Sequence, residues 1–117
     1  MNVSIVLLLG LSAGVLSSLL GVGGGIILVP GMIYLLKIPT KIAIGTSLAI
    51  IIPTAVIGVY RHNINGNVNW KVMLLISLGA VTGSYLGALL NEMLPDVVLR
   101  KIFVVLLIVM AIKIWRG

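Results

Sequence analysis

The chain lacks cysteine altogether, and its 117 residues include two acids, Glu92 and Asp96, and one histidine, His62. Without cysteine there is no disulfide, no thiolate metal site and no cysteine nucleophile. One histidine and two acids build neither a nucleophile–base pair nor a metal cluster, so the composition points away from an enzyme and calls for no cofactor. Charge of either sign is scarce. Only 9% of residues are charged, against about 25% in a soluble domain. No charge at all falls between Met1 and Leu36. The eight Lys and Arg are spread along the chain, largely in pairs, so the net charge of +6 forms no patch of the kind that grips nucleic acid. Such pairs are expected at membrane edges.

What is present is apolar surface: 61% of residues are hydrophobic and the mean hydropathy is +1.32. The fold class this predicts is an all-α integral membrane protein, its partner the lipid bilayer, with residues 1–117 as a single membrane domain. The N-terminus is apolar from Val3 onward with no basic stretch before it, which reads as a first membrane segment and not as a cleaved signal.

Apolar runs predict about four transmembrane helices, over residues 3–20, 42–60, 72–90 and 102–115, the last starting a few residues earlier. In the first, Gly10, Gly14 and Ser18 recur every fourth residue, as do Ala13, Ser17 and Gly21, a spacing that lets helices approach closely. Gly79, Gly83 and Gly87 repeat that pattern in the third run. Pro53 predicts a kink. Residues 61–71, RHNINGNVNWK, read as the one polar loop, with Asn65-Gly66 as its turn and His62 as a solvated side chain.

The first 36 residues are organised by a glycine cluster, Gly21 and Gly23 to Gly25. Glycine in this number breaks a helix and exposes backbone N–H groups. The following IILVPGMIYLL, residues 26–36, is too short to cross alone and contains Pro30. Two arrangements fit: a half-helix in a re-entrant hairpin, or the completion of one long discontinuous crossing. Inside a bilayer, broken backbone is tolerated where protein or a water-lined cavity covers it. Pro39 and Thr40 are placed to start the next helix. In that helix Gly45, Thr46 and Ser47 bring two hydroxyls close to its start; such hydroxyls either face a ligand or bond the carbonyl one turn back.

Positive charges give no orientation. Lys37, Lys41, Arg100 and Lys101 fall on one side, and Arg61, Lys71, Lys113 and Arg116 on the other, four against four. One reading is insertion both ways with pairing as an antiparallel dimer; the other is a single orientation set by weaker cues.

The stretch GVGGGIILVPGMIYLLKIPTKIAIGTSL resembles the pattern of the TauE/SafE sulfite exporter family. The matching positions are Gly23, Gly24, Gly25, Pro30, Pro39, Ala43, Gly45, Thr46 and Ser47, followed by Gly66, Asn69-Trp70 and the Gly79, Gly83 and Gly87 face. The resemblance implies a multi-pass inner-membrane protein that exports sulfite or a related organosulfur anion. Many members carry two copies of this unit, and this chain carries one, which implies a half-size member acting as a homodimer or one half of a longer protein. Together with the physics of broken helices, whose N-termini carry about half a positive charge, the resemblance places the small anion substrate at Gly23, Gly24 and Gly25, with Thr46 and Ser47 adding hydroxyl donors. A small anion channel and a non-transporting partner subunit are the alternatives. A small multidrug exporter would need an acid in the first helix, and residues 3–36 hold none. A fluoride channel shares the anion logic, but here no arginine stands near the cluster.

Overall fold

The computed structural model describes residues 3–21 and 25–117. Among them there are five helices and no strand: α1 Val3–Leu20, α2 Gly25–Tyr34, α3 Thr40–Ile64, α4 Trp70–Met93 and α5 Asp96–Arg116. The protein is all-α. Three of these helices, α1, α3 and α4, are long and apolar enough to cross a membrane, and α2 is a shorter apolar helix. The 21 residues of α5 also have the length of a crossing, but Arg100, Lys101 and Lys113 lie within it. The chain divides into two compact units, Met1–Leu78 and Gly79–Gly117.

In the first unit the helix breaks where the glycines begin. Gly21 takes a left-handed backbone, φ 73°, and its N–H donates to the Ser17 carbonyl at 2.6 Å, closing the last turn of α1. The chain then folds back. A side chain on Gly31 of α2 would meet Leu9 of α1 at 2.6 Å. In one continuous helix those residues, 22 apart, would be separated by about 33 Å. The contact therefore selects the hairpin over the long discontinuous crossing. The ten residues of α2 span about 15 Å, half the hydrocarbon layer.

At the far end of α2, Lys37 has φ 56° and the Ile38 N–H reaches back to the Met32 carbonyl at 3.0 Å. Pro39 precedes α3, which opens on Thr40 as its sequence predicts. The tight connection makes α2 and α3 antiparallel neighbours. The core of the unit lies where the three helices meet: Ala13 and Ser17 of α1, Leu28, Val29 and Met32 of α2, and Thr40, Ala43 and Ser47 of α3 are buried. Between lipid-embedded helices apolar area supplies little net drive, and close backbone approach supplies dispersion contact instead. Small residues at Ala13, Ser17, Ala43 and Ser47 permit that approach. Gly10 and Gly14, in the other small-residue row of α1, meet nothing within 4 Å.

The polar loop is shorter than the sequence suggests. α3 runs on through Arg61 and His62 to Ile64. It ends in a Schellman arrangement: Gly66 has φ 71°, its N–H donates to Asn63 O at 3.0 Å, and Asn67 N–H donates to His62 O at 2.9 Å. Asn69 then caps α4, its Oδ1 accepting from the Val72 N–H at 3.0 Å, while Trp70 Nε1 donates to Asn63 Oδ1 at 2.9 Å. The second unit holds the rest of α4 and all of α5. Asp96 sits in the first turn of α5, and Lys113 and Arg116 in its last, each sign at the helix end that favours it. Within the second unit, nothing among the described residues lies within 4 Å of where a side chain on Gly79, Gly83 or Gly87 would stand.

Candidate functional site

Two places in the first unit bring polar groups together. One is the start of α2. The Ser47 side chain is buried, and its Oγ lies 3.5 Å from the position a Cβ on Gly25 would take. Gly25 and Ser47 are thus neighbours across the α2–α3 contact, at the N-terminal end of the half-helix. Ser47 reaches this place because Thr40, Ala43 and Ser47 fall on one face of α3. Thr46, one residue earlier, is exposed, about 100° round the helix from Ser47. Gly23 and Gly24 lie outside the described residues.

The other place is a cavity of about 400 Å³ between the ends of α1 and α3 and the turn that follows α3. Its polar lining comes from Ser17, Ser18, Thr54, His62 and Asn67, with Gly21 and Gly58 giving it room. His62 is exposed, as expected of a solvated side chain, but it stands on helix and not in a loop. It belongs to the last turn of α3, and its Nε2 lies 2.8 Å from the Ser18 carbonyl oxygen of α1. A carbonyl only accepts, so Nε2 carries the hydrogen. The contact ties the two helices at their ends and satisfies one of the carbonyls that the last turn of α1 leaves open. Gly58 permits the approach: a side chain there would stand 3.2 Å from Ser18 Oγ. Thr54 Oγ1 donates to the Ile50 carbonyl at 2.9 Å, so what it turns elsewhere is its lone pairs.

A signal for this cavity was present in the sequence. Thr54, Gly58 and His62 follow at intervals of four on one helical face, provided α3 is read up to the Asn65-Gly66 turn. Ending the helix at Tyr60 hid it. Along α3 the cavity runs from Thr54, seven residues or about 10 Å from Ser47, to His62, fifteen residues or about 22 Å away.

The chain matches the family described as sulfite exporter TauE/SafE over residues 4–117. Among curated proteins it is similar to the probable membrane transporter protein YunE of Bacillus subtilis, 36% identical over 101 residues, which are 86% of this chain and 37% of that one. It is similar to a probable membrane transporter protein of Methanocaldococcus jannaschii, 32% identical over 114 residues, 92% of this chain and 43% of the relative. Another, from Haemophilus influenzae, is 33% identical over 114 residues with the same coverage of 92% and 43%. The chain thus spans about two fifths of the length of these curated relatives. No solved structure matches. With its match running from residue 4 to the last residue, the chain is a multi-pass membrane protein that belongs to the TauE/SafE sulfite exporter family.

Proposed function

We infer that the chain is a carrier unit for small anions, with sulfite or a related organosulfur oxyanion as substrate, held at the break between α1 and α2. The observation that carries this reading is the buried Ser47 hydroxyl beside Gly25 at the N-terminal end of a half-helix, in a chain of this family. An oxyanion in a membrane needs positive potential without a fixed counter-ion that would trap it. A half-helix N-terminus offers free N–H groups and about half a positive charge. Glycine lets the anion reach that backbone, and Gly23 and Gly24, outside the described residues, belong to the same proposed site. Ser47 adds a hydroxyl from α3, and Thr46, on the exposed face, serves a second unit packed against it. That second unit is another copy of this chain in a homodimer, which also covers the Gly79, Gly83 and Gly87 face. The relatives, more than twice as long, have chain enough for two such units.

The test is sulfite efflux from liposomes holding the purified protein. Gly24→Leu and Ser47→Val are expected to slow efflux about tenfold or more, since each removes access to a donor that meets the anion. Efflux equal to wild type in both variants, with the protein intact, would make these positions packing residues and overturn the site.

A further inference from the structure

We propose that the cavity between the ends of α1 and α3 is a second oxyanion site, a vestibule that takes the anion together with one proton shared with His62. The inference rests on the reading that this chain handles small oxyanions, and its central residue, His62, stands about 22 Å along α3 from Ser47.

The argument starts from the tautomer. His62 Nε2 donates its hydrogen to the Ser18 carbonyl in either charge state, because that oxygen has no proton to give. Every change in protonation of the ring therefore falls on Nδ1. A neutral ring presents Nδ1 as an acceptor, which suits an oxyanion still carrying an O–H. A protonated ring presents Nδ1–H, which suits the same anion after it has lost that proton. In both cases one proton lies between the ring nitrogen and an anion oxygen, and none is left over. Two protons would leave donor against donor, and no proton would leave lone pair against lone pair. The ligand class this selects is a small oxyanion of a weak polyprotic acid, near its last ionisation.

The surroundings agree. No carboxylate lines the cavity, and both acids of the chain lie beyond it in sequence, at Glu92 and Asp96. Among the described residues that line the cavity, His62 is the one titratable side chain. From the elements around it, Arg61 stands next to His62 on α3, Lys71 follows the turn at the start of α4, and α1 contributes no charge. Both cations attract an anion to this end of the unit. Asn67 supplies an amide, and Ser17 and Ser18 supply hydroxyls able to donate. About 400 Å³ admits a small oxyanion with part of its water.

The experiment is equilibrium binding of sulfite to the purified full chain by calorimetry, across a series of alkaline buffers. Wild type must then take up a proton to bind, so its affinity falls about tenfold per pH unit, and the heat varies with the ionisation enthalpy of the buffer. His62→Gln keeps an N–H for the Ser18 carbonyl but cannot titrate; its affinity is expected to stay flat over that range, with no buffer-dependent heat. Asn67→Leu keeps the slope of wild type and loses affinity about tenfold at every pH, and it carries the test should His62→Gln fail to fold. Binding with the same slope in His62→Gln, or unchanged affinity in Asn67→Leu, overturns the vestibule and leaves the Ser47 site standing. No sulfite binding at any pH overturns the vestibule and sulfite as substrate together.

Discussion

Single residues in this chain do work that their neighbours cannot take over. Lys37 is the one non-glycine residue with a positive φ, 56°, among those described, and it is exposed at the α2–α3 connection. A left-handed backbone costs an L-residue on the order of 1 kcal/mol that glycine does not pay. Lys37→Gly is therefore expected to raise stability by about 0.5 to 1 kcal/mol after glycine's larger unfolded-state entropy is set against it, read as a higher midpoint of thermal unfolding in detergent. The lysine was legible in the sequence as an interface residue. Its backbone was not, because no local pattern encodes where a chain reverses after a half-helix; the α2–α3 contact imposes it. His62 teaches the same thing from the other side. Asn65-Gly66 is the turn expected from the sequence, but the polar residues before it suggested a loop from Arg61, and α3 runs on to Ile64. Four residues of helix bring the exposed ring onto the Ser18 carbonyl.

At the scale of elements, the fold was readable where chemistry is local and hidden where it depends on packing. The break after Leu20 and the start of α3 at Thr40 follow from glycine and proline at their positions, whereas the cap at Asn69 was hidden in the polar run 61–71. Which small-residue row packs does not follow. Ala13 and Ser17 are buried while Gly10 and Gly14 meet nothing, although both rows have the same spacing. The choice is made by α2, which folds back and occupies one side of α1. Ala43 sits at the junction of the three helices with no exposed surface. Ala43→Leu would force those helices apart and is expected to destabilise the first unit by about 1 to 3 kcal/mol, whereas Ile42→Leu, on the exposed side, should change little. Denaturation followed through the emission of Trp70 would separate the two. Of the proposed anion site, the sequence showed the residues but not their grouping: Ser47 turns toward Gly25 and Thr46 turns away, a difference of one position that only the packing of α3 resolves.

For the whole molecule, four positive charges fall on each side when crossings alternate, and no soluble loop is long enough to impose direction. We propose insertion in both orientations, with an antiparallel pair of copies as the assembly, against a single orientation set by weaker cues. The absence of cysteine makes this directly measurable. Cysteines placed one at a time at Lys41 and at Asn67 are each expected to react partly with an impermeant reagent added from outside; reaction of one position alone would establish a single orientation and a parallel pair.

The length of α2 has a consequence for the lipid around it. A helix of ten residues gives the bilayer a wall about 15 Å tall, where α1 gives about 27 Å. Acyl chains alongside α2 must shorten, tilt or yield the space to protein, and each of these costs elastic energy that grows with the thickness of the host membrane. The half-helix thereby makes the membrane a component of the fold, with thin bilayers easing the strain and thick, ordered ones pressing a second protein surface into the gap.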